Sequence, residues 1–145
     1  MVRYGRYAMP YSADSRFAPI AGSDIALAAA KIFTNPSEHG GRIYRLTGPV
    51  EYSHEELAAE VCRVLGKDLQ YEQVTVTTFL ELIGLPDDTA KLKHFEAVTI
   101  DQQEGLLAGV DDTARNIVGQ PLVTVEEFVN DHRELFELHY SRTVA

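Results

Sequence analysis

The stretch RIYRLTGPVEYSHEEL, residues 42–57, carries the strongest local signals in the sequence. Polar and apolar side chains alternate over residues 42–46, which predicts a short strand. The triplet TGP that follows breaks this strand. Ser53 and Glu56 match a capping box, in which each side chain accepts a hydrogen bond from the backbone N–H of the other residue. The box predicts a helix that begins here, so a strand and a helix follow each other in this part of the chain.

Helices are predicted on both sides of this stretch. After the capping box, apolar residues recur at helical spacing until Gly66, which is typical of a helix end. Before the stretch, the run IALAAAKIF, residues 25–33, is apolar nearly all round. We therefore expect a helix here, capped by Ser23 or Asp24 and buried on more than one face.

The rest of the chain adds further helices and one more strand, over residues 69–74. Helices are predicted to start at Thr77 or Thr78, at Asp87 or Asp88, at Asp111-Asp112, and at a second capping box of Thr124 and Glu127, after which one helix continues through the end of the apolar pattern. With about two short strands and five to six helices, the predicted fold class is α/β and helix-dominated. Two short strands do not form an independent sheet, so either the helices carry the fold or the strands extend a sheet supplied by something else.

Composition limits the function classes. The chain has 145 residues, 45% of them hydrophobic, which fits one globular domain. With 13 Lys and Arg against 22 Asp and Glu, the net charge is −9, which argues against nucleic-acid binding. No apolar run is long enough to span a membrane, and the first residues lack the apolar core of a signal peptide. The sequence predicts a cytoplasmic protein with no membrane or nucleic-acid partner.

Motifs that carry chemistry are scarce. No two of the five His residues have the spacing of a metal pair; His132 and His139 are two helical turns apart, so no metal site is expected. The acidic pairs lie at predicted helix starts, where carboxylates stabilise free N–H groups. Cys62 is expected to be a small buried hydrophobe, since a single Cys makes no internal disulfide. No glycine-rich phosphate loop or nucleophile motif occurs, so no catalytic or cofactor-binding residue is assigned.

An aromatic N-terminal arm, residues 1–20, is the one feature with a candidate binding role. It combines Tyr4 and other aromatics with Arg, Gly and Pro and shows no helical or strand period. We expect it to pack on the body, residues 21–145, which would form a single substrate-side domain, or on a partner. The candidate substrate-lining residues are Tyr7, Met9, Tyr11 and Phe17. The alternative is that these side chains only hold the arm down or pair two subunits.

Four stretches resemble the NmrA-like family, atypical members of the short-chain dehydrogenase/reductase superfamily. They are GSDIALAAA (residues 22–30), HGGRIYRLTGP (39–49), YSHEELA (52–58) and LGK (65–67). The part from Phe79 to the sequence GLP, and the closing helix, are also similar. The resemblance covers about residues 15–136 and matches the C-terminal, substrate-side half of such proteins.

This resemblance implies a Rossmann-like protein that uses NAD(P), whose dinucleotide is held by a glycine-rich turn in the first half. That half is absent here, and no Tyr has a Lys four residues later, the pair found in typical reductases of the superfamily. The resemblance also implies that residues 42–46 join the sheet of the full-length protein and that the helix of residues 25–33 lies against it.

Three hypotheses follow. In the first, the chain is the substrate-binding half of an NAD(P)-dependent reductase or redox sensor, inactive alone and without a cofactor of its own. In the second, it is a non-enzymatic interaction module that forms a homo-oligomer or binds a protein partner. In the third, it is a small enzyme with its own pocket for a small-molecule ligand, in which Tyr7, Tyr11 or His94 acts as acid or base.

Overall fold

Helices make up most of the chain, as the spacing of its apolar residues predicts. The computed structural model describes the backbone of residues 2–3 and 6–140 and the side chains of residues 6–136. Within these ranges the helices are α1 (Gly22–Thr34), α2 (Pro36–His39), α3 (His54–Leu65), α4 (Val76–Leu82), α5 (Thr89–Gln103), α6 (Thr113–Val118), α7 (Val125–Asp131) and α8 (Arg133–Tyr140). The strands are β1 (Val2–Arg3), β2 (Arg6–Met9), β3 (Arg16–Phe17), β4 (Tyr52–Ser53) and β5 (Gln70–Gln73). The predicted helix-dominated α/β class is confirmed.

The strands form two small sheets. In the first, β2 lies between β1, to which it is antiparallel, and β5, to which it is parallel, with Tyr7 opposite Tyr71. In the second, β3 pairs antiparallel with β4. The arm, whose sequence shows no strand period, nevertheless contributes β1, β2 and β3, and the strand predicted over residues 69–74 is confirmed as β5. The arm shows no period of its own because its pairing partners are distant in sequence.

The strand predicted over residues 42–46 does not form. Ile43 is 99% exposed, and no strand of the described chain pairs with this segment. Tyr44 is instead hydrogen-bonded to His39, and Arg45 donates to the backbone oxygens of Ala108 and Gly109. The alternation of polar and apolar residues gives a strand only where a second strand offers its backbone groups.

The two capping boxes are confirmed. The Ser53 hydroxyl accepts from the N–H of Glu56 at 3.1 Å, and the Glu56 carboxylate accepts from the N–H of Ser53 at 2.8 Å. Thr124 and Glu127 repeat the arrangement at α7. Gly66, with φ of 66°, ends α3 as predicted. Asp87 and Asp88 were the alternatives for the cap of α5, and Asp88 is the cap. Helix α4 was predicted to start at Thr77 or Thr78, but it starts at Val76 and is capped by Thr75.

Three predictions about helices are wrong. Neither Ser23 nor Asp24 caps α1; Asp24 is buried, and its carboxylate accepts from the N–H of Val123 at 2.8 Å. The closing helix is divided at His132 into α7 and α8. Burial of α1 on more than one face is not observed within the described chain, because Ile25 is 43% and Phe33 80% exposed.

Two apolar clusters form the core. The first joins α1 to α6 through Ala28, Ala114, Val118 and Leu122. The second joins α3 to α7 through Val61, Val129 and Leu69, the residue before β5, with Tyr7 packed against it. The bond from Val123 to Asp24 links the segment before α7 to α1. The segment between α6 and α7 therefore connects the two clusters. No helix in the described ranges is long and apolar enough to cross a membrane.

The Ser53→Ala variant tests the capping box. Removing the hydroxyl leaves the N–H of Glu56 without its side-chain acceptor and should lower the free energy of unfolding by about 1 kcal/mol. Ser23→Ala, in the exposed first turn of α1 where no side chain caps the helix, is the matched control and should change it by less than about 0.5 kcal/mol. Urea unfolding measures both, and equal losses in the two variants would contradict the assignment.

Candidate functional site: an apolar pocket beside a buried histidine

An apolar pocket of about 290 Å³ lies between the two core clusters. Its walls come from β2, from the chain that leads into α1, from α3, from the residue before β5, from α7 with the segment before it, and from α8. The lining residues are Tyr7, Pro19, Ile20, Ala21, Gly22, Leu57, Ala58, Val61, Leu69, Val123, Thr124, Val125, Phe128, Val129 and Phe136. None of these side chains is charged, so the pocket offers a ligand apolar contact and no ion pair.

The two side-chain hydroxyls of the lining already have partners. The Thr124 hydroxyl donates to the carboxylate of Glu127 in the capping box, at 2.8 Å. The Tyr7 hydroxyl is 3.2 Å from Nδ1 of His54. The pocket is apolar because the fold uses these polar groups elsewhere.

His54 is buried at the start of α3 inside a cage of aromatic rings. Its ring stacks on Tyr11, Phe17 and Tyr71, with ring centroids 5.2, 4.5 and 5.4 Å away. Tyr7 is tilted against it at 6.0 Å. The cage is closed by tertiary structure, because β2 brings Tyr7, β3 brings Phe17 and β5 brings Tyr71. Only 1% of His54 is exposed.

The hydrogen bonds of His54 point to a neutral ring. Its Nδ1 faces the Tyr7 hydroxyl, and its second polar neighbour is the buried side chain of Gln102. Within the described chain, His54 Nε2 and Gln102 Oε1 are both buried, and neither forms a hydrogen bond. In a neutral ring that carries its proton on Nε2, Nδ1 is free to accept a hydrogen bond from the Tyr7 hydroxyl.

Burial sets the charge state of this cluster. Loss of water contact lowers the pKa of His54 to about 4, and the Gln102 interaction offsets only part of this shift. Burial also raises the pKa of the Tyr7 hydroxyl far above its usual value, with a further contribution from Tyr71. Burial raises the pKa of Tyr71 to about 12. At neutral pH the cluster therefore carries no charge.

The structure brings together three of the four predicted substrate-lining residues. Tyr7, Tyr11 and Phe17 surround His54, and of these Tyr7 also lines the pocket. Met9 lies on the same strand as Tyr7 but outside the pocket lining. Tyr4 lies outside the described residues. Their role in binding a substrate stays a prediction.

The central place of His54 was not predicted from the sequence, where this residue lies within a capping box. The signal was present, because His54, Leu57, Ala58 and Val61 follow one another at helical spacing on a single stripe of α3. A histidine at the start of an apolar stripe is directed toward the core.

The other candidate residues do not converge on this cluster. His94 is exposed on α5 next to Phe95, so it does not join Tyr7 and Tyr11. His132 stacks on Phe128, and the side chain of His139 lies outside the described residues. No group of three or more potential metal ligands occurs in the described ranges. Cys62 is only half-buried, and its thiol exchanges hydrogen bonds with the backbone of Leu69.

Comparison with known proteins relates this architecture to reductases. No family model matches the chain. Quinone oxidoreductase 2 of Escherichia coli (strain K12) is 28% identical over 120 residues, which are 81% of this chain and 41% of that protein. NAD(P)H azoreductase of Xenophilus azovorans is 29% identical over 135 residues, 91% of this chain and 46% of that protein.

A solved structure of a reductase also resembles this chain. The NADPH-dependent quinone oxidoreductase of Escherichia coli, solved with NADPH, superposes with a TM-score of 0.70 at 27% identity, over 89% of this chain and 45% of that one. The chain is a relative of these reductases. The resemblance to the C-terminal half of NmrA-like proteins is confirmed in this form, and the chain spans less than half the length of the curated relatives it matches.

Proposed function

We propose that the chain is the substrate-side half of an NAD(P)H-dependent reductase and acts together with a dinucleotide-binding half. One observation carries the proposal: nearly the whole chain aligns with less than half of reductases whose names specify NAD(P)H or quinones. The sequence contains no glycine-rich turn, so the proposal assigns the dinucleotide to the other half. It also keeps the expected cytoplasmic location.

The exposed apolar surface supports this proposal. Ile25 and Phe33 on α1 and Ile43 in the segment predicted as a strand are all exposed, although α1 is apolar nearly all round. A further sheet packed against α1 would cover the two α1 side chains. The backbone groups at the edge of that sheet could form hydrogen bonds with residues 42–46, so that these residues would complete a strand. These features fit the place that the resemblance implies for both segments.

Restoring the missing half tests the proposal. The chain alone should neither bind NADPH nor reduce a quinone or an azo dye. Fused behind the dinucleotide-binding half of Quinone oxidoreductase 2, it should give saturable, NADPH-dependent turnover of one of these acceptors. The same fusion with its glycine-rich turn disrupted is the control and should be inactive. Turnover by the isolated chain, or a folded NADPH-binding fusion without any turnover, would contradict the proposal.

A second candidate is a non-enzymatic module that pairs with another copy of itself or with a protein partner. The same exposed side chains, Phe33 and Ile43, favour it, because a second chain would also cover them. The intact mass of the protein in its own cells shows whether a dinucleotide-binding half belongs to the same chain. A mass near 16.1 kDa favours a module or a split reductase, whereas a mass about twice as large places the dinucleotide half on the same chain.

A further inference from the structure

We propose that the apolar pocket between α1, α3 and α7 binds an uncharged, hydrophobic small molecule of two to three rings. The inference concerns this chain alone and does not rest on the proposed function, because neither a dinucleotide nor a second half is needed for such binding.

The size of the pocket sets the size of the ligand. Its volume of about 290 Å³ is close to the lower end of ligand pockets, which begin at about 300 Å³. An engineered apolar cavity of about 150 Å³ accommodates benzene, so this pocket accommodates roughly twice as much. Larger polycyclic molecules would require the walls to separate.

The chemistry of the lining sets the charge of the ligand. A carboxylate, sulfonate or ammonium group inside the pocket would lose water contacts without meeting a charged side chain of the lining, which weakens its binding. The hydroxyls of Tyr7 and Thr124 do not compensate, because they are already hydrogen-bonded to His54 and Glu127. An uncharged apolar ligand meets no such penalty and gains contact with Leu57, Val61 and Val129.

Two matched probes test directly whether the pocket prefers an uncharged ligand to a charged one. N-phenylnaphthylamine is uncharged and fluoresces strongly in apolar surroundings, and anilinonaphthalene sulfonate has the same rings with one sulfonate. The wild-type chain should bind the uncharged probe with saturation, and the sulfonated probe should bind at least about tenfold more weakly, a difference of about 1.4 kcal/mol. Equal binding of both probes, or no saturable binding of the uncharged one, would overturn the proposal.

Neighbouring alanines on α3 provide the matched variants that locate the probe. Ala58 is buried and lines the pocket, whereas Ala59 is exposed. Ala58→Leu should fill the pocket and weaken probe binding about tenfold or more, and Ala59→Leu should leave it unchanged. Unchanged affinity in a folded Ala58→Leu chain would place the probe elsewhere and overturn the assignment.

A site-resolved measurement on the wild-type chain keeps the test valid if Ala58→Leu does not fold. In methyl NMR spectra, the uncharged probe should shift the signals of Ala58, Val61 and Val129 and leave that of Ala59 in place. Shifts confined to exposed apolar residues such as Ile25 and Ile43 would show surface binding only and contradict the proposal. Neither readout involves NADPH or turnover, so failure here is distinct from failure of the reductase proposal.

Discussion

Between pH 7 and pH 5, the protein should lose much of its stability through a single imidazole, that of His54. The ring is 1% exposed, lies against four aromatic side chains and is neutral in the folded state. Protonation would place a positive charge where the described chain offers it no carboxylate. In the unfolded chain the same ring is hydrated and takes up a proton at its ordinary pKa.

The direction of this effect follows from proton counting. Burial lowers the folded-state pKa of His54 to about 4, against 6.5 for an exposed histidine. Between these two values the unfolded chain binds a proton that the folded chain does not, so the free energy of unfolding rises with pH. The contribution is complete above about pH 6.5 and is lost as the pH falls toward 4. Its full size is about 3 kcal/mol, at about 1.4 kcal/mol for each pKa unit.

Urea unfolding at several pH values between 7 and 5 measures this effect. His54→Phe keeps an aromatic ring in the cage but does not titrate, so its stability should change much less over this range than that of the wild type. Combining it with Tyr7→Phe avoids leaving the Tyr7 hydroxyl without its partner. His94→Phe, on the exposed side of α5, is the control and should keep the wild-type slope.

The comparison among variants isolates His54 from the carboxylates. Hydrogen bonds hold the pKa of Glu51, Glu56 and Glu127 below the usual range, so these groups also lose stabilising interactions at low pH. All the variants retain them, and their contribution cancels in the differences. If His54→Phe and the wild type have the same slope between pH 7 and pH 5, the buried neutral imidazole is the wrong explanation.

The parts of the fold that the sequence predicts best depend on adjacent residues. The capping box of Ser53 and Glu56 is complete within four positions, so its geometry follows from the local sequence. The strand expected over residues 42–46 needs a neighbouring strand, which no local pattern reveals. Asp24 was expected at a helix cap for its residue type, but its hydrogen bond to the N–H of Val123, far along the chain, determines its actual place.

The candidate site was predictable only in part. Tyr7, Tyr11 and Phe17 stand out in the sequence because aromatic side chains in an irregular segment need a surface to cover. What they surround was not predictable, because His54 follows Tyr7 by 47 residues and Tyr71 lies on a different strand. The pocket likewise depends on the separation between α3 and α7, which is set by packing rather than by any motif.

Gly48→Ala should destabilise the protein by about 3 kcal/mol, because the backbone of Pro19 lies too close to Gly48 to admit a Cβ. Gly48 is buried, and its N–H donates to the oxygen of Ala18 at 3.1 Å. A Cβ at this position would stand 1.7 Å from the oxygen of Pro19 and 2.6 Å from its carbonyl carbon. These are backbone atoms, so no side-chain rotation relieves the overlap, and the two segments must separate.

The effect of this separation should reach the pocket, because Pro19 and Ile20 form part of its wall and lead directly into α1. Gly48→Ala should therefore both lower the urea midpoint and weaken binding of N-phenylnaphthylamine. Gly22→Ala is the matched control for stability only, because Gly22 itself lines the pocket: an added Cβ there meets nothing within 4 Å, so its stability should stay within about 0.5 kcal/mol of the wild type. If the two alanine variants are equally stable, residues 18–20 and residue 48 do not approach as closely as described. If Gly48→Ala is destabilised but binds the probe as tightly as the wild type, the contact supports the fold without shaping the pocket.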